Sequence, residues 1–275
     1  MSKAIEQSVK EKLRNISKKE GIAFNSLLET LFLERFMVRV AKSRHKGSLI
    51  FKGGMCLAQY LHLGRQTRDL DFLLQKVESS EAKIREIFEE IAALRIDDGM
   101  SFKLVEVAIL SIEHKKYPGY RVEIQGMLGQ VKQKVSVDVG IGDVVISRTL
   151  EVEFLHDKGP LFENSASINA YPPEYIFAEK LEAILYFGES NSRMKDYFDC
   201  YQIIHEDTIR KDEFKNAIVA TFDNRGTKIG QIPDYAEILS TRWNGFARLN
   251  KRSDIQFKNV TQVINDFLQA IGIRN

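Results

Sequence analysis

Two aspartates two positions apart, Asp69 and Asp71, sit inside the apolar run Leu70, Phe72, Leu73, Leu74. On a β-strand such residues point to the same face. Two carboxylates side by side at the edge of a buried strand repel each other unless a cation neutralises them, and oxygen donors of this kind suit a divalent metal. Upstream, Phe51-Lys52 leads into Gly53-Gly54, and Met55, Leu57, Ala58 and Leu61 follow at helical spacing. The pair reads as a tight turn opening a short helix, whose free N–H groups make an anion site. A backbone phosphate cradle beside paired carboxylates is the chemistry of a metal-held nucleoside triphosphate. Each element alone is common in loops and at strand ends. Together they make Phe51–Leu74 the organising stretch.

Lys52-Gly53-Gly54 followed by Arg65-Gln66-Thr67-Arg68-Asp69-Leu70-Asp71-Phe72 resembles the nucleotidyltransferase toxins of the AbiEii/AbiGii family, in the DNA polymerase β-like nucleotidyltransferase superfamily, with the MenT toxins as relatives. A second block, Glu179 to Asp199, extends the resemblance over roughly residues 20 to 205. The resemblance implies an α+β fold: a polymerase β-like core of a small mixed sheet flanked by helices, with a helical C-terminal half. Lys52, Gly53 and Gly54 fall in its nucleotide-binding turn. Thr67 and Arg68 either flank the triphosphate and orient the carboxylates, or belong to a solvated loop capping the strand.

In that superfamily a third aspartate on a neighbouring strand completes the metal site. Val131, Val135, Val137 and Val139 alternate with Lys132, Lys134, Ser136 and Asp138, the period of a half-buried strand. Asp138 is therefore the expected third metal ligand with Asp69 and Asp71, and a candidate general base; Asp143 is the runner-up. Three carboxylates suit two magnesium ions, with manganese as a substitute: one to activate an attacking hydroxyl, one to bridge the triphosphate and the leaving pyrophosphate. Ala178-Glu179-Lys180-Leu181 resembles the family's Ala-Glu-Lys-Leu block, which implies that Lys180 holds the triphosphate; the bland alternative is a surface lysine. Arg193-Met194-Lys195-Asp196, with Asp199 one turn on, resembles the family's Arg-x-Lys-Asp-x-x-Asp segment. Arg193 or Lys195 would pair with phosphate and Asp196 would orient Lys180 or the nucleotide; Asp199 reads equally well as part of a local ion-pair network.

The elements that must position these residues follow from periodicity. Residues 3–20 form an amphipathic helix stopped at Gly21, and a second helix, capped by Asn25 or Ser26, carries the stripe Leu28, Leu31, Phe32, Phe36, Val40. Arg39, Lys42, Arg44, His45 and Lys46 beyond it are packing surface or a basic ledge for RNA. A helix over 79–94, a turn at Asp97-Asp98-Gly99, and strands over 102–112, 120–128 and 131–139 come next. Pro160 and Glu163-Asn164-Ser165 mark a linker, and Pro172-Pro173-Glu174 opens a helix with proline in its first turn. Helices over 212–222, 233–246 and 260–271 follow, with 223–227 as a loop. Trp243 reads as core, or as part of an RNA-binding flank with Arg242, Arg248, Lys251, Arg252 and Lys258. The expected division is N-terminal helices over 1–48, the catalytic core over 49–160, and a helical domain over 161–275 that completes the nucleotide site.

The 275 residues, 44% hydrophobic and 28% charged, are those of an ordinary globular protein. A net charge of +2 excludes a polycation, so any nucleic-acid binding needs a local patch. Cys56 and Cys200 read as reduced core residues of a cytoplasmic protein, with no zinc spacing, no signal core and no membrane-spanning run. The expected function is a metal-dependent transferase moving a nucleoside monophosphate from an NTP to an acceptor hydroxyl. By resemblance the acceptor is the 3′ end of tRNA, and the protein is the toxin of a toxin–antitoxin or phage-defence pair with a cognate antitoxin. Transfer to a protein side chain, an idle nucleotide- or RNA-binding fold and a nuclease are the rivals.

Overall fold

The computed structural model describes residues 2–61, 67–110, 118–155, 162, 165–206 and 211–274. Arg65 and Gln66 of the basic run, and the linker residues Pro160, Glu163 and Asn164, lie outside them. Two helices open the chain, α1 (Ser2–Glu20) and α2 (Phe24–Lys42). Strand β1 (Leu49–Lys52) runs directly into the five-residue α3 (Gly53–Leu57), and β2 (Asp69–Leu74) follows. After α4 (Glu81–Ala93) come a meander of β3 (Met100–Leu110), β4 (Gly119–Leu128) and β5 (Val131–Ile141), then β6 (Arg148–Glu153) and β7 (Ser165–Ala170). The rest is helical: α5 (Pro173–Phe187), α6 (Met194–His205), α7 (Phe214–Arg225), α8 (Ala236–Leu249) and α9 (Phe257–Ala270).

The strands form one mixed sheet in the order β3-β4-β5-β2-β1-β7-β6. β1 and β2 are antiparallel, whereas β2 pairs with β5 and β1 with β7 in parallel. The expected mixed sheet flanked by helices has seven strands. β6 and β7 extend it on the two sides of residue 160, so its strands come from both segments that the sequence separates there. One face is apolar by alternation. Val135, Val137 and Val139 of β5, Leu70 and Phe72 of β2, and Val122 and Ile124 of β4 are buried on this face, where α2 packs on β5 and α4 on β3 and β4. Phe51 and Phe72 face each other across β1 and β2 with ring centroids 5.7 Å apart. Ser80 caps α4 by accepting from the Lys83 N–H at 3.3 Å, a contact worth about 1 kcal/mol.

Two local expectations are corrected. Helix α2 starts at Phe24 with Ala23 as its N-cap, two or three residues before the expected one; the Ala23 carbonyl accepts from Leu27 N–H, and neither Asn25 nor Ser26 caps the helix. Helix α7 runs through Arg225 and stops at Gly226, whose left-handed φ of 70° ends it, so most of 223–227 is helix rather than loop. Of the two readings of the basic residues from Arg39 to Lys46, packing holds for Arg39, while Lys42, Arg44 and Lys46 are exposed. Arg39 is fully buried, where it forks onto both oxygens of Asp98 (2.8 and 3.0 Å) and lies 4.5 Å over the Phe102 ring. Arg35 joins Asp98 at 2.9 Å, while Arg44 and His45 bind Glu90. The turn at residues 97–99 thus anchors α2 to the sheet. Trp243 is core, and both cysteines are buried and free.

Candidate active site

Register brings four charged residues into one row across the sheet. Lys52 of β1 is level with Asp71 of β2, Asp71 with Asp138 of β5, and Asp138 with Arg121 of β4. Asp69 lies one same-face step along β2, level with Ser136. The alternation that buries Leu70 and Phe72 turns Asp69 and Asp71 to the opposite face, and the valines of β5 do the same for Asp138. The three expected carboxylates therefore share one face on adjacent parallel strands.

Gly53 fixes one of them. Its φ is +74°, and a Cβ built there would lie 2.0 Å from Asp71 Oδ2 and 2.7 Å from Asp71 Cβ. Only a residue without a side chain lets β1 turn into α3 while Asp71 packs against the turn. The glycine thus serves the carboxylate directly, and α3 is only five residues long. Burial, then the charges of Asp69 and Asp138, push the Asp71 carboxyl up to about 7. Asp138 is held by Arg121 in a bidentate pair at 2.8 and 2.7 Å. Among the described residues no three Asp, Glu, His or Cys side chains close round a single point.

Helix α5 supplies the opposite wall of the cleft. Glu179 accepts from Lys52 Nζ at 2.6 Å and faces Arg225 at 3.2 Å. Lys52 also reaches Asp143 at 3.1 Å and lies 4.7 Å over the Tyr171 ring. Burial alone would lower its ammonium; the carboxylates of Glu179 and Asp143 reverse the sign and raise it. Arg225, from the end of α7, ties Asp143 (2.8 Å) to Glu182 (2.7 Å). Asp143, the runner-up for the metal, is instead the counter-ion of Lys52 and Arg225.

Lys180 lines the cleft, and its ammonium bridges Asp196 (2.8 Å) and Asp199 (2.7 Å), both fully buried on α6. Burial would raise the Asp196 carboxyl, but Lys180 and Arg193 overrule it and hold it at about 2. Arg193, just before α6, donates to Asp196 at 2.5 Å and lines the cleft with Gly53, Asp71 and Asp138. Lys195 is exposed, and its charge acts on Asp71. Thr67, Arg68, Asp69 and Gly54 stand outside the cleft lining; Arg68 is largely exposed, 4.0 Å from Glu29 of α2. Arg121, Tyr171 and Arg225 went unnoticed in the sequence. Arg121 is level with Asp138 only once β4 and β5 are paired; Arg225 was hidden in a turn-like run.

A family model described as nucleotidyl transferase AbiEii toxin, type IV TA system, matches residues 35–266. Among solved structures, MenT4, a nucleotidyltransferase toxin from Mycobacterium tuberculosis, is similar with a TM-score of 0.54 at 13% identity, over 96% of this chain and 99% of that one. JHP933 from Helicobacter pylori gives 0.46 at 15% identity, over 89% and 91%. A comparison with curated proteins finds no match. At these identities the likeness to MenT4 speaks for the fold.

Proposed function

The chain belongs to the AbiEii nucleotidyl transferase toxin family, and from this premise we propose that it transfers a nucleoside monophosphate from an NTP to the 3′ end of an RNA, tRNA being the leading acceptor, with Mg²⁺ or Mn²⁺. It is a nucleotidyltransferase of a toxin family. Acceptor, metal and site roles are the proposal's own. The observation that carries it is the register: Asp71 level with Asp138 on neighbouring strands, with Asp69 one step along.

The donor set fits a hard divalent cation. It is all oxygen, and such an ion would relieve both the burial of the Asp71 carboxylate and its repulsion by Asp69 and Asp138, the causes, in that order, of its raised value. Asp69, Asp71 and Asp138 would hold it, Asp138 exchanging Arg121 for the metal. The ion, when bound, neutralises the triphosphate and polarises its phosphorus. The chain's own cations support that need: Lys52 and Arg225 are matched by Asp143 and Glu179, and Lys180 by Asp196 and Asp199. An ammonium has three donors, and Lys180 uses two of them on these carboxylates, which leaves one for a phosphate oxygen at the cleft wall. Arg193 and Lys195, at the start of α6, add charge where a triphosphate would lie. Asp138, once free of Arg121, is placed to take the acceptor hydroxyl's proton.

The family description pairs such toxins with a type IV antitoxin, and a cognate antitoxin is proposed here too. No described helix is long and apolar enough to cross a membrane. The test is incubation with magnesium, total tRNA and each α-labelled NTP in turn, with Asp69→Ala/Asp71→Ala as control. Label on RNA from one NTP, absent from the control, is the expected result. Label on protein alone, or cleavage of RNA without an NTP, overturns it.

A further inference from the structure

The same alternation that turns Asp69, Asp71 and Asp138 to one side of the sheet continues along β5 and across β4 and β3. Stepping along β5 from Asp138, same-face residues are Ser136, Lys134 and Lys132; register sets Glu123, Gln125 and Met127 of β4 level with them, then Lys103 and Ser101 of β3. The other face is the one packed on α2 and α4. This one is open: Lys103, Arg121, Met127, Lys132 and Lys134 are all exposed. Lys134 pairs with Glu123 at 3.1 Å, while Lys103 and Lys132 have no ion-pair partner among the described residues. Glu106, level with Glu123 on β3, has no ion-pair partner among the described residues.

From these placements we infer that the open face of β3, β4 and β5 is the track along which a single-stranded RNA acceptor lies, its 3′ end at Asp138 and its backbone phosphates towards Lys134, Lys132 and Lys103. The inference rests on the RNA-acceptor reading above. Continuity is the first argument: the track and the carboxylates share a face and, on β5, a strand. Dimension is the second. Six residue steps of strand run from Asp138 to Lys132, ~20 Å at ~3.3 Å per step, and the two strand spacings to β3 add about 10 Å of width. That is a flat surface for a few nucleotides, not a pocket for a small molecule. Chemistry is the third. Among the described residues of β3, β4 and β5, this face offers ammonium groups, an amide and hydroxyls beside Glu106 and Met127, and it carries no aromatic ring to stack a base. Such a surface grips phosphates and leaves the base sequence unread. Acceptor choice then falls to the 3′ end in the cleft.

The test compares Lys103→Glu/Lys132→Glu with Lys251→Glu/Lys258→Glu, the latter reversing charge near Trp243. Binding of a fluorescent single-stranded RNA and of total tRNA is followed by anisotropy across a salt series without NTP, alongside NTP binding and thermal melting. The track variant should lose at least tenfold in RNA affinity at low salt and flatten the salt slope by about 0.7 per lysine, with NTP binding and melting unchanged. The C-terminal variant should match the wild type. Unchanged affinity and slope in the track variant, or a loss confined to the C-terminal one, overturns the inference. If the wild type labels RNA and the track variant does so with the same KM for RNA, the track fails and the acceptor stands. If the wild type neither binds nor labels RNA, the acceptor reading itself fails.

Discussion

Replacing Lys180 by methionine isolates the ion bridge between α5 and α6. Methionine keeps the length and apolar stem and removes the ammonium. Asp196 and Asp199, both at 0% exposure, then lose the cation they share, although Asp196 keeps Arg193. Removing one partner of a buried ion pair costs about 3–5 kcal/mol. The surviving Arg193 contact places the expected loss near the lower end, about 3 kcal/mol. At about 2–4 °C per kcal/mol for a chain of this size, Tm should fall by about 6–12 °C. Urea unfolding reads this through Trp243, the single tryptophan, whose ring lies 6.4 Å from Phe198 of α6. Lys180→Met/Asp199→Asn, which also removes a buried charge, should recover half of the loss or more. A single variant within about 1 kcal/mol of wild type would refute the view that this bridge holds the cleft wall in place.

Other substitutions probe the remaining contacts. Gly53→Ala adds the strain of a positive φ, about 1–2 kcal/mol, and drives Asp71 from its place; kcat/KM should drop about 100-fold, and near-normal activity would sink the packing argument. Arg121→Gln frees Asp138, so Mn²⁺ affinity measured by electron paramagnetic resonance without RNA should tighten several-fold, an effect that should vanish with Asp138→Asn; weaker binding would count against Arg121 as its internal counter-ion. Glu34 of α2 accepts from Leu155 N–H at 2.8 Å, and burial raises its carboxyl from 4.5 to about 8. Its folded-state value lies above the unfolded one, so the stabilisation is complete below pH 4.5 and is lost as pH rises through 8. Glu34→Gln should melt with a visibly flatter pH profile over that window, and parallel profiles would contradict the assignment.

Much of the site was legible because it rests on period-two patterns. The apolar run around Asp69 and Asp71 and the valines around Asp138 state which way each carboxylate points. Strand order then did the rest. What escaped notice has no local pattern. The Arg39–Asp98 pair joins residues 59 apart, and nothing near Arg39 marks it as buried. Asp223-Asn224-Arg225-Gly226 has the composition of a turn, yet its first three residues are the end of α7, and Gly226 alone is the stop. β7 is Ser-Ala-Ser-Ile-Asn-Ala, too small and polar to read as a strand, and its place beside β1 comes from pairing.

Lys52, Asp143, Glu179 and Arg225 are drawn together from β1, the segment after β5, α5 and α7, across more than half of the chain. Contacts of such long sequence separation form late, because loop closure comes before any reward from them. During synthesis, at about 5–20 residues per second, a ribosome that stops before residue 225 leaves Asp143 and Glu182 without their arginine. The wall facing the aspartates is then unfinished, and prematurely terminated products would carry the motif without its finished cleft. Completion of α7 is thereby a condition of a finished cleft wall.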